Sequence, residues 1–322
     1  MKKRMLVAGL ALLSIGLLTA CGDSEKETSD TKEKTVGVLQ MMKHDSLDSA
    51  YKGFLEGLKE EGFAEGKNLK VNYQYGTGAQ DNLKSMSEKL VKDKPDLLLG
   101  IATPAATALL NETTDIPLLI TAVTDPVAAK LVKSEEKPGG NVTGTTDMVP
   151  IEKQIDLLIS IVPKAKTVGI AYNAGESNSK IQADLAIKAL KKAGISAKVL
   201  TANSTNDVQA VITSLAKNTD AIYIPTDNTF ATAAPIVGEV AKEQKTVVVT
   251  GSTEQVENGA LATFGIDYTS LGKQTGIMAA KVLKGEKPQD LPIESAKELK
   301  LVVNEEMAKA IGIDPTSIQA PK

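Results

Sequence analysis

Cysteine and histidine each occur once in this sequence of 322 residues, tryptophan is absent, and aromatic residues make up only 3%. A single cysteine cannot form an internal disulfide, and a single histidine, His44, excludes a zinc site built from several histidines. There is no Walker motif, no Gly-x-Ser-x-Gly elbow and no Gly-x-Gly-x-x-Gly after a predicted strand. These absences favour a non-enzymatic protein that needs no cofactor and no metal.

The charge balance is mildly acidic. The formal net charge is −3, and it becomes −6 if the first 20 residues, which carry three basic side chains, are removed. Nucleic-acid binding requires a basic patch, and this composition argues against one. We therefore expect no nucleic-acid partner.

The one cysteine, Cys21, closes an apolar run over residues 5–20 that follows a basic start. A positive start, a short apolar stretch and small residues before the cut indicate an export signal. Because the cysteine directly follows those small residues, the segment resembles a bacterial lipoprotein signal, in which the thiol is acylated and the chain is cut in front of it. We expect 1–20 to be the signal peptide, Cys21 to anchor the protein on the outer side of the cell membrane, and 21–34 to be a flexible tether. The alternative is an ordinary secretory signal with an incidental cysteine.

From Thr35 onward, short β-branched runs alternate with stretches of helical period. The predicted strands are 36–40, 69–75, 96–101, 117–123, 167–172, 197–200, 221–225, 246–250, 261–266 and 301–304. The predicted helices are 47–61, 83–92, 105–111, 151–162, 181–192, 208–217 and 271–283. This alternation is typical of an α/β fold with parallel sheets and right-handed crossovers.

The two halves of the chain resemble each other. Lys34-Thr35-Val36-Gly37-Val38 recurs at 166–170 as Lys-Thr-Val-Gly-Ile, and both halves run strand, helix, strand, helix, strand in the same order. Open α/β sheets bind ligands at the carboxyl ends of their strands. Two similar Rossmann-like lobes that face each other would therefore line one cleft, which is the geometry of a hinged binding protein that closes on a small molecule.

Polar loops follow several of the predicted strands. Helix starts there suit a carboxylate, since their backbone N–H groups are free, and Thr103 and Ser177 to Ser179 add hydroxyl groups at two such starts. Asp227 or Asp267 could pair with an ammonium, so the cleft suits a zwitterion. For each of these serine, threonine and aspartate residues, simple helix capping is the alternative role. The candidate ligand-binding residues are Gln40, His44, Thr103, Ala105, Thr124, Asp125, Ser177, Asn178, Ser179, Asp227, Asn228 and Asp267.

Six motifs give the chain a resemblance to the ABC-transporter substrate-binding lipoproteins that include tryptophan and tyrosine binders. They are Ile-Ala-Thr-Pro-Ala-Ala at 101–106, Thr-Ala-Val-Thr-Asp-Pro at 121–126, Asn-Val-Thr-Gly at 141–144, Tyr-Asn at 172–173 with Ser-Asn-Ser at 177–179, Pro-Thr-Asp-Asn at 225–228, and Gly-Ala-Leu-Ala-Thr at 259–263 running into Gly-Ile-Asp-Tyr at 265–268. In addition, 267–276 is similar to the corresponding helix of lac-repressor-like sugar-binding domains. The resemblance implies a type I periplasmic-binding-protein fold, in which the chain crosses between the lobes three times.

The same resemblance implies the domain bounds and the function. Lobe 1 would hold 35–145 plus 264–288, lobe 2 would hold 147–263 plus 289–322, and the crossings near 146, 263 and 289 would form the hinge. The ligand would be an aromatic or other apolar amino acid, delivered by a monomeric protein to an ABC permease with its ATPase. By position, Thr103 and Ser177 to Ser179 would hold the carboxylate and Asp227 the ammonium, with contacts from Thr124, Asn228 and Asp267. A sugar, a nucleoside or another amide-bearing ligand, or a role as a lipid-anchored sensor, are the alternatives.

Overall fold

Two six-stranded sheets organise the protein, whose computed structural model describes residues 33–321. The predicted signal peptide, Cys21 and nearly all of the predicted tether lie outside the described residues. The last residue assigned to the tether, Lys34, instead opens the first strand, where it pairs with Leu69. Among residues 33–321, no helix combines the length and the apolar character needed to span a membrane.

The helices and strands alternate along the chain. The first part contains β1 (Lys34–Gln40), α1 (Asp45–Glu60), β2 (Leu69–Tyr75), α2 (Gln80–Lys92), β3 (Leu97–Ile101), α3 (Thr103–Glu112), β4 (Leu118–Val123) and β5 (Val142–Thr146). The middle contains α4 (Ile151–Ile161), β6 (Thr167–Asn173), α5 (Ser177–Lys192), β7 (Ser196–Ala202), α6 (Thr205–Asn218), β8 (Ala221–Ile224), α7 (Asn228–Thr232), α8 (Ala234–Gln244), β9 (Val247–Thr250), α9 (Thr253–Glu257) and β10 (Ala262–Gly265). The last part contains α10 (Tyr268–Leu283), β11 (Glu294–Ser295), β12 (Lys300–Val303) and α11 (Glu305–Ile311), with short 3₁₀ turns at Pro288–Asp290 and Pro315–Ser317.

The two sheets have the same strand order. It is β11-β5-β4-β3-β1-β2 in the first sheet and β12-β10-β9-β8-β6-β7 in the second, and every pairing is parallel except that of β10 with β12. The central strands β3, β4 and β8 are buried along their whole length, as expected for parallel strands covered by helices on both faces. The predicted α/β fold with two parallel sheets is confirmed, and we call the elements around the two sheets the first and second lobes.

The repeated Lys-Thr-Val-Gly sequence occupies equivalent places in the two lobes. It forms β1 in the first sheet and β6 in the second, each second from the edge. In both lobes the aspartate directly before the third strand along the chain accepts a hydrogen bond from the start of this strand. Asp96 Oδ2 accepts from the Thr35 N–H at 2.8 Å, and Asp220 Oδ2 accepts from the Thr167 N–H at 2.9 Å. The internal similarity in the sequence is thus a similarity of structure.

The chain crosses between the lobes three times: between β5 and α4, between β10 and α10, and between β11 and β12. The last two crossings differ from the bounds expected from the sequence. Residues 264–265 belong to the second lobe because β10 pairs with β9 and β12 there. Residues 289–295 stay with the first lobe because β11 pairs with β5, so the third crossing lies at 296–299 rather than near 289.

Helices α1 and α10 pack with their backbones in contact. A Cβ atom added to Gly53 would lie 2.0 Å from the Thr269 carbonyl oxygen, and one added to Gly272 would lie 1.9 Å from that of Ala50. Gly57 and Gly276, one turn further along each helix, make equally close approaches. Because the two helices run in the same direction, this contact brings both of their N-termini to the same end of the first lobe.

Candidate functional site

A small cavity lies between the two lobes, where the N-termini of α1 and α10 face loops of the second lobe. Its volume of about 20 Å³ is enough for roughly one water molecule, so the lobes are closed tightly over it. The residues lining the cavity come from both lobes and from the crossings between them. They are His44, Ser46, Leu47, Ala122, Asp147, Asn178, Thr226, Asp227, Asn228, Ala231, Ser252, Gln255 and Tyr268.

Side-chain hydrogen bonds join the lobes around this cavity. His44 Nε2 lies 3.2 Å from Asn228 Oδ1, and the Gln182 amide donates to Thr124 Oγ1 at 3.1 Å. At the rim, the Asn258 amide donates to Asp45 Oδ2 at 2.9 Å. These contacts hold the lobes together on two sides of the cavity.

The N-terminus of α1 supplies part of the cavity wall. Its N-cap residue, His44, makes no side-chain capping bond, so the first-turn N–H groups lack an intrahelical or side-chain acceptor. Ser46 and Leu47 in that turn line the cavity. Burial lowers the pKa of His44, and the neutral ring therefore donates from Nε2 to Asn228 while Nδ1, shielded from solvent, has no partner.

Backbone strain also marks this edge of the first lobe. Ala102 directly follows β3 and has a φ of 78°, and Ala122, within β4, has a φ of 55°. Residues with a side chain rarely adopt such positive φ values. The register between β4 and β5 shifts next to Ala122. Such strained residues concentrate at ligand-binding sites, and Ala122 lines the cavity.

Four carboxylates are buried in or beside the cavity, each less than 7% exposed: Asp147, Glu176, Asp227 and Glu254. None of them takes part in an ion pair within residues 33–321. Burial raises the pKa of Asp147, and it raises the pKa of Glu254 to about 7. Burial and the neighbouring Glu176 together raise the pKa of Asp227 to about 7. The site therefore contains four buried carboxyl groups and, among the described residues, no cationic side chain that pairs with them.

Of the residues predicted from the sequence, His44, Asn178, Asp227 and Asn228 line the cavity. Thr124 and Ser179 lie just behind the lining: Thr124 donates to Asp147 Oδ1 at 2.9 Å, and Ser179 Oγ accepts from the Asn178 amide at 3.2 Å. These two residues would position others rather than line the site.

The remaining predicted residues lie outside the cavity lining, and each has a local structural role. Gln40 is buried in the first lobe, where its amide donates to Met42 O and to Asp48 Oδ1. Asp125 accepts from two N–H groups of its own turn, and Asp267 caps α10 and pairs with Lys300.

Three predicted residues at the starts of α3 and α5 also lie outside the cavity lining. Thr103 is buried in the first turn of α3 with an unpartnered hydroxyl group, and Ala105 packs into the core. Ser177 is exposed at the start of α5. The helices whose first turns line the cavity include α1, through Ser46 and Leu47, and α10, through Tyr268.

Sequence reasoning missed several lining residues, among them Ser46, Asp147, Ser252 and Gln255. Asp147 follows β5 directly, but Val142–Thr146 was not predicted as a strand, so the usual signal of a polar residue at a strand end was lost. Ser252 caps the five-residue helix α9 by accepting from the Gln255 N–H, and so short a helix has no periodic signal.

The fold and the cavity define a two-lobed solute-binding protein. The chain belongs to the family of ABC transporter substrate binding proteins, whose family model matches residues 35–317. Substrate-binding proteins of ABC importers work outside the cytoplasm, and the family is one of solute-binding proteins.

Relatives in this family cover nearly the whole chain. A tyrosine-binding protein from Clostridioides difficile is 39% identical over 97% of this chain and 92% of its own length. A solved structure from Streptococcus pneumoniae, an ABC domain in complex with L-Trp, is 38% identical and covers 90% of this chain and 99% of its own, with a TM-score of 0.85. The ligand-free, open structure of a substrate-binding protein with adhesive properties from Clostridium difficile is 41% identical, covers 90% of this chain and 98% of its own, and has a TM-score of 0.70. In overall arrangement the chain is more similar to the Trp-bound structure than to the open one.

Proposed function

We propose that this protein captures an aromatic amino acid between its lobes and delivers it to an ABC permease with its ATPase. The relatives named for tyrosine binding and solved with L-Trp support this ligand class. The observation that carries the proposal is the acceptor-rich cavity, which contains buried carboxylates and no lysine or arginine. The protein binds and releases its ligand without chemical change.

The unpaired acceptors favour a ligand with a positively charged group. Asn178 Oδ1, Gln255 Oε1 and Glu254 Oε2 are buried without a hydrogen-bond partner, and Asp147 and Asp227 face the same cavity. Buried acceptors and carboxylates are costly unless a donor or a cation meets them. An ammonium brings three donors and one positive charge, so it would satisfy this surface better than a neutral sugar.

The ligand carboxylate would bind without arginine. Arg4 is the only arginine in the sequence, so a bidentate guanidinium contact is excluded for the lobes. The uncapped first turn of α1 instead offers backbone N–H groups beside Ser46, and the positive end of the helix dipole favours an anion there. Leu47, Ala122 and Tyr268 supply apolar surface for a ring.

We further propose that the protein is exported, lipidated on Cys21 and held at the membrane as a monomer by the 21–34 segment. The signal-like first 20 residues and the extracytoplasmic work of the family support this. Tethering would raise the effective concentration of the loaded receptor near its permease. Mass spectrometry of the protein purified from membranes would show a diacylglycerol-modified Cys21 as the first residue, and Cys21→Ser would release the protein into the soluble fraction. An unmodified N-terminus would contradict the anchor.

Calorimetric titration with L-tyrosine, L-tryptophan, L-phenylalanine and L-leucine tests the ligand class, with ribose and adenosine as controls. We expect the aromatic amino acids to bind most tightly and to raise the unfolding temperature, and the controls to have no effect. Stabilisation by a sugar or nucleoside alone would support the alternative ligand classes. Binding of an amino acid without a neighbouring permease gene would favour the sensor role.

A further inference from the structure

Asp147 lies at the first crossing between the lobes, directly after β5. Its backbone N–H donates to Val123 O at 3.1 Å, which fixes it to the end of β4. The side chain is only 2% exposed and lines the cavity. A carboxylate is therefore buried at a hinge segment and faces the ligand space at the same time.

The hydrogen bonds of Asp147 leave its charge unbalanced. Oδ1 accepts from the Thr124 hydroxyl at 2.9 Å, and Oδ2 accepts from the Tyr268 hydroxyl at 2.5 Å. Both donors are neutral, and a carboxylate can accept about four hydrogen bonds. Acceptor capacity thus remains for a charged donor in the cavity.

Asp227, the residue that the sequence favoured as the ammonium partner, has a different set of contacts. Its Oδ2 accepts from the Asn173 N–H at 2.7 Å and its Oδ1 from the Phe230 N–H at 2.9 Å. These bonds cap α7 and hold it against the end of β6. The oxygens of Asp227 are used by the backbone of its own lobe, as expected for a structural cap.

The hydrogen-bond partners of Asp147 link it to the second crossing and to a contact between the lobes. Tyr268 is the first residue of α10, just beyond the second crossing, and its N–H donates to Glu254 of the second lobe at 3.1 Å. Thr124, in the first lobe, accepts from Gln182 of the second lobe. The carboxylate at the first crossing is therefore bonded to a residue at the second crossing and, through Thr124, to a contact between the lobes.

We propose that Asp147 binds the α-ammonium of the ligand and that this ion pair makes closure of the lobes depend on it. The inference rests on the proposed function, since it assigns the ammonium contact of that same site. In the open form Asp147 is hydrated, and closure buries its charge. A ligand ammonium compensates the lost hydration and stabilises the closed form, whereas a ligand without an ammonium leaves an unpaired buried carboxylate. Only a ligand with an ammonium group then stabilises the closed form, so the same ion pair selects the ligand and closes the lobes.

A comparison of two ligands on three proteins tests the assignment. L-Tyrosine and 3-(4-hydroxyphenyl)propionate differ only in the ammonium group. We expect wild type to bind the amino acid on the order of 10–100-fold more tightly, and D147N, which retains the shape of the side chain, to lose most of that ratio. D267N is the matched control: it removes a carboxylate charge near a lobe crossing from a residue that pairs with Lys300 and does not line the cavity, and it should keep the ratio. Small-angle scattering should show compaction of wild type with L-tyrosine but not with the analogue.

The outcomes separate the two proposals. If wild type, folded by circular dichroism, binds no aromatic amino acid, the proposed function fails. If wild type binds L-tyrosine but D147N keeps the full ratio, or D267N loses it, the assignment to Asp147 is overturned. Should D147N not fold, D147E takes its place: displacement of the charge by one methylene group should reduce the ratio about tenfold, and an unchanged ratio would overturn the assignment.

Discussion

Glu176 and Asp227 hold the first turn of the same short helix. Glu176 Oε2 accepts from the Asn228 N–H at 3.2 Å, and Asp227 Oδ1 accepts from the Phe230 N–H at 2.9 Å. Two carboxylates are thus buried side by side at the N-terminus of α7, where the free N–H groups compensate part of their charge. The pKa of Asp227, raised to about 7 by burial and then by Glu176, follows from this arrangement.

The ligand-free protein should become less stable as the pH rises from 5 to 8. Asp227 has a native pKa of about 7 against 3.8 for the free side chain, so the native state binds its proton more tightly than the unfolded state. The resulting stability is present below the unfolded pKa and is lost as the pH rises through 7. Glu254, also with a pKa of about 7, acts in the same direction. We expect a net loss on the order of 2 kcal/mol in the free energy of unfolding, measured from urea midpoints.

His44 acts in the opposite direction in that titration. Burial lowers its pKa, so its contribution to stability is lost as the pH falls below its unfolded pKa of 6.5.

The variant E176Q is the informative control for the effect of Asp227, because removal of the neighbouring charge lowers the pKa of Asp227 and should flatten the profile between pH 5 and 8. A profile in wild type that rises steadily with pH would contradict the account of the buried acids.

Gly272→Ala should destabilise the protein by about 3 kcal/mol, because the new methyl group would lie 1.9 Å from Ala50 O and force α1 and α10 apart. Gly140→Ala is the control, since no atom lies within 4 Å of its Cβ position and its φ is not positive. Urea denaturation measures both. Equal stability of G272A and G140A would show that the backbone contact between the helices is not required.

Asp267→Asn should change the dissociation constant for L-tyrosine less than about threefold. Asp267 caps α10 and pairs with Lys300 at the surface, and such exposed ion pairs contribute less than about 1 kcal/mol. Calorimetric titration measures the affinity, with D227N and D147N as comparisons. A loss of tenfold or more would return Asp267 to the ligand-binding residues.

A disulfide between positions 46 and 252 should lock the cleft. Ser46 Oγ and Ser252 Oγ lie 3.5 Å apart on opposite lobes, within reach of a disulfide after a small side-chain adjustment. We expect the oxidised double variant S46C/S252C, carrying also C21S, to take up no L-tyrosine, since the cross-linked lobes cannot open to admit it. Reduction with dithiothreitol should restore binding, and S46C alone should bind under both conditions. Full binding by the oxidised form would mean that the ligand enters without opening of the lobes.

The sequence was sufficient to predict the alternating elements but not those with weak patterns. The strand β2 was predicted with its full bounds, because Leu69, Val71, Tyr73 and Tyr75 alternate with polar residues and glycine-containing segments lie on both sides. The strand β5 was missed because its sequence, Val-Thr-Gly-Thr-Thr, has one large apolar residue. It is buried because β4 and β11 flank it and α10 packs on it, with Thr145 Oγ1 2.8 Å from Thr275 Oγ1. The helices α7 and α9 have five residues each, less than two turns, so no helical period can be read from them.

Part of the site could be predicted from the positions of the strands. Residues at the carboxyl ends of parallel strands must meet at one edge, and Asp227 and Asn228 were found in this way. Which helix N-terminus reaches the cavity depends on tertiary packing, in particular on the close contact of α1 with α10. Thr103 and Ser177 have the local pattern of ligand-binding residues, but only the packing of the lobes decides that one is buried away from the cavity and the other exposed.

The contact between α1 and α10 joins residues more than two hundred positions apart in the sequence. During synthesis, the first lobe cannot be completed until Gly272 and Gly276 have emerged, when almost the entire second lobe has already been made. Such non-local contacts slow folding because a large loop must close before they form. The core of the first lobe therefore stays open while most of the second lobe is synthesised, although β1, in the first lobe, precedes every strand of the second.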